Sequence, residues 1–205
     1  MNFKKLFDMQ RQLDNHIIKE KGLEGQDLLD KKILALQVEL GELANEARFF
    51  KFWSNDQEPR RWYPNENDVC ESCNGNPIFI ENGKIVGECK NCDGCGVHFY
   101  NPLLEEYVDC LHFILSIGLD IGVEIQSINP HLQTSATDQF VELNYQCYRV
   151  LQKYEWGKSH AKSEWILLSD LFVGLGEMLG ITWEQIEQAY LFKNEVNHER
   201  QESGY

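Results

Sequence analysis

The fold is inferred first from the segment at residues 36–53, LQVELGELANEARFFKFW. Its apolar residues step by threes and fours, and the same spacing begins upstream at Leu29, so that they fall along one stripe of a helix. The stripe contains Leu29, Ile33, Leu36, Leu40, Leu43, Ala47 and Phe50. The pattern predicts a long helix from about Asp27 to Trp53 that turns this stripe towards a core.

Helical spacing recurs along the chain, and five or six amphipathic helices are predicted in all. The other segments run over about 2–19, 103–121, 139–154, 163–179 and 181–200. Thr182 and Gln185 fit a capping box at the start of the last segment. Cys110 and Cys147 lie within apolar helical patterns, which indicates buried thiols. Nothing outside the cysteine-rich stretch alternates like a strand, so the predicted fold class is all-α, a helical bundle.

The chain has 205 residues, of which 42% are hydrophobic, enough for one sizeable core with a small inserted module. Residues 54–70, SNDQEPRRWYPNENDVC, break the helical spacing and are predicted to form a loop that enters the insert. We therefore expect residues 1–54 and 101–205 to form one all-α domain. Residues 55–100 would be a module inserted between the second and third helices.

The formal net charge is -14, which argues against nucleic-acid binding through the phosphate backbone. An acidic protein still binds a nucleotide when metal ions screen the repulsion. The first residues lack the apolar stretch of a signal peptide, and no later segment is apolar enough to span a membrane. The sequence predicts a cytoplasmic protein without a membrane partner.

Two CxxC pairs lie in the insert, Cys70 with Cys73 and Cys89 with Cys92, on either side of PIFIENGKIVGE, residues 77–88. The Asn-Gly pair in that stretch favours a β-hairpin. Two such pairs across a hairpin are typical of a four-cysteine zinc ribbon, in which Zn²⁺ has a structural role. Cys95 is an alternative to Cys92 as the fourth ligand, and disulfides or free thiols are alternatives to zinc.

Paired carboxylates are the most informative pattern in the predicted helices. Glu39 and Glu42 share one helix face, and Glu106 and Asp109 share another. If the two helices are antiparallel neighbours, the four carboxylates converge and require hard cations such as Mg²⁺. The alternative is a solvated acidic surface. Apolar residues flank both pairs, so the acids border the core stripe.

A cationic pattern follows near the end of the chain. Lys193, Asn197 and Arg200 recur at i, i+4 and i+7, which places phosphate-compatible side chains along one helix face. The alternative is a basic helix terminus without a ligand, since cations are favoured at helix C-termini. Together with the acids, this face indicates a site for a metal-bound polyphosphate.

Three segments carry a resemblance to a known family: residues 36–53, EEYVDCLHFILS at 105–116, and KNEVNHERQESGY at 193–205. Together they resemble the dimeric dUTPases of the all-α NTP pyrophosphohydrolase superfamily, whose signature is ExxE on one helix and ExxD on the next. The resemblance implies a homodimer with Glu39, Glu42, Glu106 and Asp109 as magnesium ligands. It also implies that the C-terminal motif, with Lys193, Asn197, Arg200 and Tyr205, contacts the triphosphate.

Members of this family read uracil with polar side chains of the first helix and an aromatic residue after the second. The corresponding candidates here are Gln10, Gln12, Asp14, Asn15 and Trp53. Relatives carry Leu-Asn where this chain has Leu13-Asp14, so a carboxylate replaces the expected amide. This departure puts the specificity for uracil in question.

The resemblance implies Mg²⁺-dependent hydrolysis of dUTP to dUMP and pyrophosphate by a metal-activated water, which limits uracil incorporation into DNA. Glu39 or Glu42 would take the proton of the water, and Lys193 and Arg200 would stabilise the leaving oxygens. One alternative is a related enzyme for dCTP or several nucleotides. Another, of a different class, is a zinc-ribbon binding module on a helical scaffold.

Overall fold

A computed structural model describes residues 3–81, 83–124 and 128–204, without the side chains of Glu66 and Asn67. Within these residues the chain forms six helices and four short strands. In order they are α1 (Phe3–Glu20), α2 (Leu29–Ala47), β1 (Tyr63–Val69), β2 (Ile78–Glu81), β3 (Lys84–Glu88), β4 (Val97–Tyr100), α3 (Pro102–Ile121), α4 (Ala136–Tyr154), α5 (Lys158–Met178) and α6 (Trp183–Glu202). The predicted all-α class, with a small β-hairpin region between the second and third helices, is confirmed.

The helix starts have identifiable causes. The predicted capping box is present, since the Thr182 side chain accepts from the Gln185 N–H and the Gln185 side chain from the Thr182 N–H. Ser135 caps α4 by accepting from the Asp138 N–H. Helices α4 and α5 begin a few residues before their predicted starts.

The second helix is shorter than predicted and ends at Ala47, not near Trp53. Arg48 has a φ of 65°, in the left-handed region that ends helices. Its guanidinium group donates to the carbonyl oxygen of Asp56 from Nε at 3.2 Å and from Nη2 at 2.9 Å. These bonds hold the chain reversal after Ala47, so Phe50 lies outside the helix that its spacing predicts.

Part of the predicted loop at 54–70 is a strand. β1 pairs with β4 antiparallel, with Tyr63 opposite Tyr100. The sequence of β1, YPNENDV, is poor in β-branched residues and does not signal a strand by itself. β1 can pair with β4 because the two ends of the 60–102 segment run side by side.

The predicted hairpin is confirmed by β2 and β3, which pair antiparallel with Ile80 opposite Ile85. Gly83 at its turn has a φ of 76°, which glycine adopts readily. Asn82, the other residue of the predicted turn, lies outside the described residues.

The helices bury one apolar core. Trp165 is 1% exposed, and its Nε1 donates to the Ile114 carbonyl oxygen at 2.8 Å. Gly118 permits this packing, because a Cβ atom there would lie 2.8 Å from the indole ring. Cys110 and Cys147 are fully buried, as predicted.

The chain divides into two compact units, residues 1–59 with 103–205 and residues 60–102. The first contains the helices, and the second contains the strands and the two CxxC pairs. No single helix in the described part of the chain is long and apolar enough to span a membrane. Taken together across a bend of 112°, α5 and α6 have the length and apolar composition of a span.

Candidate active site

Three of the four predicted carboxylates form a cluster. One carboxylate oxygen from each of Glu39, Glu42 and Glu106 lies within 4.8 Å of the others. Glu39 and Glu42 share a face of α2 because they are three residues apart, and Glu106 meets them from α3. An oxygen-only cluster of this kind fits a hard divalent cation such as Mg²⁺.

The electrostatics of the cluster are those of crowded acids. Burial and the nearby carboxylates of Asp109 and Glu42 raise the pKa of Glu39 from 4.5 to about 7. Burial and the same neighbours raise the pKa of Glu106 from 4.5 to about 7. The pKa of Asp109 is also raised by burial, although Lys193 opposes the shift. A cation would relieve this repulsion.

Lys193 reaches the acids from α6. Its Nζ atom lies 2.7 Å from Oδ2 of Asp109 and 2.9 Å from Oε1 of Glu105. The Lys193 side chain is 12% exposed, so its charge is poorly screened by water. The cationic face of α6 therefore meets the acidic face of α3.

A cavity of about 540 Å³ opens beside the acids, within the roughly 300–1,000 Å³ typical of small-ligand sites. Its lining includes seven predicted site residues: Gln10, Asp14, Glu39, Asp109, Lys193, Asn197 and Arg200. It also includes Leu13, Ile17, Ile18, Leu23, Leu28, Lys31, Lys32, Ala35, His112, Phe113, Ser116 and Gln201.

The two walls from α2 and α3 run antiparallel. Glu39 faces Asp109 at one end, and Lys32 Nζ lies 2.7 Å from Oδ2 of Asp120 towards the other. The seven residues from Lys32 to Glu39 span about 10 Å of helix. The cavity thus has a carboxylate end at Glu39 and Asp109 and a second end near Leu28 and Lys32.

A hydrogen-bonded network lies between these ends. Gln10 Nε2 donates to Oδ1 of Asp14 at 2.7 Å, and Ser116 Oγ donates to Oδ2 at 2.6 Å. Gln10 Oε1 lies 2.7 Å from Nδ1 of His112 and accepts from Tyr190 Oη at 2.8 Å. The polar groups of α1, α3 and α6 are therefore fixed relative to one another.

Some predicted residues lie elsewhere. Glu42 and Glu106 belong to the carboxylate cluster but not to the cavity lining. Trp53 is 65% exposed and is not among the lining residues, and Gln12 and Asn15 are also exposed. Tyr205 lies outside the described residues.

Sequence reasoning assigned no site role to several cavity residues. His112, Phe113 and Ser116 follow Asp109 by three, four and seven residues, so helical spacing from the predicted ligand finds them. Lys32 precedes Glu39 by seven and is found in the same way. Tyr190 carries no such signal, because it enters the network from a helix distant in sequence.

The four predicted cysteines come together in the other unit. The sulfur atoms lie 3.9 Å apart for Cys70 and Cys89 and 3.7 Å apart for Cys73 and Cys92. Tetrahedral zinc with Zn–S bonds of about 2.3 Å requires sulfurs about 3.8 Å apart, whereas a disulfide requires about 2.05 Å. Cys95 is directed to the carbonyl oxygens of Cys92 and Val97. The cluster could bind zinc without Cys95.

Comparison with known proteins bears on the helical unit. A family model described as dUTPase matches residues 2–66 and 99–205, which leaves out residues 67–98 with the four clustered cysteines. No curated protein matches the chain. The matched residues include both carboxylate pairs and the whole cationic face of α6. Since the match covers most of the chain, the protein belongs to the dUTPase family, of the all-α NTP pyrophosphohydrolase type.

Proposed function

We propose that the protein hydrolyses dUTP to dUMP and pyrophosphate with Mg²⁺. The observation that carries this proposal is the cavity whose acidic end meets the cationic face of α6, in a chain of the dUTPase family. A nucleoside triphosphate has the matching charge distribution, because its phosphates are anionic and need cations whereas its base is uncharged. We orient the triphosphate towards Glu39 and Asp109 and the base towards Asp14.

Glu39, Glu42, Glu106 and Asp109 would hold the metal. Their oxygens are suitable ligands, and the pKa of both Glu39 and Glu106 is raised by burial and by repulsion from neighbouring carboxylates, which a bound cation would offset. Bound Mg²⁺ would screen the triphosphate and make the attacking water more acidic.

The side chains then have distinct roles in breaking the bond between the α and β phosphates. Glu39 or Glu42 accepts the proton of the attacking water. Lys193 and Arg200 stabilise the negative charge that develops on the departing pyrophosphate. Asn197 lines the cavity beside Arg200 and donates to phosphate oxygens. No covalent intermediate is required.

A nucleotide assay tests the proposal directly. Purified protein would be incubated with Mg²⁺ and each of dUTP, dCTP, dTTP and UTP, and the monophosphate and pyrophosphate released would be quantified. We expect dUTP to be hydrolysed with the highest kcat/KM. Glu42→Gln is expected to abolish most of this activity, because it removes one of the clustered carboxylates.

Other outcomes of this assay select the alternatives. Comparable hydrolysis of dCTP would favour a pyrophosphohydrolase for several nucleotides, an alternative supported by Asp14 at the base end. Absence of hydrolysis for every nucleotide would contradict the proposal. The cysteine cluster would then favour a binding module on a helical scaffold.

We also propose that the protein is a homodimer, as the family resemblance implies. Exposed apolar side chains on α2 and α4 support an interface there: Leu34, Val38, Val141, Tyr145 and Tyr148. Gln37 Nε2 donates to the Asn144 carbonyl oxygen, so the two helices are adjacent. Tyr145→Asp should shift the mass in sedimentation equilibrium from dimer to monomer. A monomeric wild-type protein would contradict this assignment.

A further inference from the structure

We propose that Nε2 of His112 accepts a hydrogen bond from the N3–H group of the substrate base, and that Asp14 is a positioning residue that makes this nitrogen an acceptor by acting through Gln10. The inference rests on the proposed function and deepens it. In this inference Asp14 does not contact the base directly. It acts through a relay of three side chains, in which Asp14 orients Gln10 and Gln10 orients His112.

The first step of the relay fixes the amide of Gln10. Asp14 Oδ2 accepts from Ser116 Oγ at 2.6 Å and lies 3.5 Å from Lys32 Nζ, while Oδ1 faces Gln10 at 2.7 Å. A carboxylate only accepts hydrogen bonds, so the NH₂ end of Gln10 must point at Asp14. Gln10 Oε1 then points the opposite way.

The second step fixes the tautomer of His112. Gln10 Oε1 lies 2.7 Å from His112 Nδ1 and 2.8 Å from Tyr190 Oη. Because a carbonyl oxygen cannot donate, both Nδ1 and the tyrosine hydroxyl must donate to it. Burial lowers the pKa of His112 to about 3, so the ring is neutral. Nε2 consequently carries a lone pair.

The third step concerns the surroundings of the lone pair on His112 Nε2. His112 is 6% exposed and lines the cavity, with the Tyr190 ring stacked on it at 4.2 Å. Its Nε2 atom is buried without a hydrogen-bond partner in the described part of the chain. A buried unpaired acceptor is unfavourable, and a ligand that supplies a donor satisfies it.

The chemistry of the bases then determines which ligand is favoured. Uracil carries a hydrogen on N3 and supplies the donor, whereas neutral cytosine has a lone pair there and would face the lone pair of Nε2. A site built around a hydrogen bond rejects a ligand that cannot form it. The relay therefore selects uracil over cytosine even though Asp14 replaces the amide of the relatives.

Nitrogen NMR of ¹⁵N-histidine-labelled protein tests the relay without relying on catalysis. The resonances that are absent from the spectrum of His112→Phe are those of the His112 ring. We expect the hydrogen on Nδ1 in the free protein, and a shift of the Nε2 resonance when dUMP is added with Mg²⁺ and pyrophosphate, but not with dCMP. In Asp14→Asn the new amide can both donate and accept, so it can pair with Gln10 in either orientation. A fraction of the His112 rings should then carry the hydrogen on Nε2. A wild-type ring with its hydrogen on Nε2 would overturn the inference.

Kinetics provide the second readout. In His112→Phe the ratio of kcat/KM for dUTP to that for dCTP should fall by at least about 10-fold, since the acceptor is lost. If His112→Phe is active and this ratio is unchanged, the inference is wrong and the proposed function still stands. A wild-type protein that hydrolyses neither nucleotide overturns the proposed function, and the inference with it.

Discussion

Replacing Glu39 by glutamine is expected to lower kcat/KM for dUTP by on the order of 10³-fold, the scale of losing a proton acceptor or a charged group at the reacting centre. The change keeps the shape of the side chain and removes its charge. Glu39 joins the carboxylate cluster and also lines the cavity, whereas Glu42 and Glu106 belong only to the cluster. It is therefore placed to affect both metal and substrate.

The same substitution should stabilise the metal-free protein at alkaline pH. The pKa of Glu39 is about 7 in the folded protein against an ordinary value of 4.5. Between these values the folded state binds more protons than the unfolded state, so its stability falls as pH rises. Above pH 7 the ionised acids repel one another, and glutamine removes one charge. We expect a melting temperature higher by on the order of 3 °C at pH 8.

Thermal melts from pH 5 to pH 8 in buffer without Mg²⁺ and without a chelator that would remove zinc, with parallel dUTP assays in Mg²⁺, measure both effects. Glu195→Gln is the matched control, because Glu195 is an exposed acid of α6. It should leave activity and melting temperature nearly unchanged. If Glu39→Gln kept full activity, or lost stability at pH 8 without metal, the assignment of Glu39 to a metal cluster would be wrong.

The carboxylate cluster was predictable from sequence because helical spacing is a local property. Glu39 and Glu42 lie three residues apart, as do Glu106 and Asp109, and each pair shares a face in any regular helix. That the two pairs meet was a hypothesis based on the apolar residues that flank them. The role of Lys193 as a partner of Asp109 required the position of α6.

Element boundaries were less predictable for a physical reason. The apolar stripe of α2 continues to Phe50, yet the helix ends at Ala47 because Arg48 binds the Asp56 carbonyl oxygen beyond the helix. This contact is not encoded in spacing. Strand β1 likewise forms because it pairs with β4, which is distant in sequence. The β propensity of its own residues does not predict this pairing.

The base end of the cavity was only partly predictable. Gln10 and Asp14 were candidates through the family resemblance, and both line the cavity. The hydrogen-bond direction that gives His112 its proposed role depends on Tyr190 as well as on Gln10. Such a network cannot be predicted from helical spacing, because its members come from three helices.

We propose that the clustered cysteines bind zinc, and replacing Cys89 by serine is then expected to release it and to unfold the 60–102 unit. Among the described residues of this unit, the buried cluster consists of Cys70, Cys89 and Cys92 with Cys73 packed against them. Its aliphatic side chains do not supply a core, since Ile80 and Ile85 on the hairpin are 65% and 68% exposed. A unit this small usually needs a metal or disulfides, and structural zinc contributes roughly 10–16 kcal/mol in zinc-finger peptides.

Cys95→Ser distinguishes this arrangement from one in which Cys95 replaces Cys92. Because the Cys95 sulfur faces carbonyl oxygens whereas Cys92 lies in the sulfur cluster, Cys95→Ser should retain one zinc per chain and Cys92→Ser should lose it. Elemental analysis gives the zinc content, and amide NMR reports pairing of β2 with β3. Helical circular dichroism should persist in each variant, because the helical unit has its own apolar core. Retention of zinc and hairpin pairing in Cys89→Ser would show that sulfur ligation does not hold this unit together.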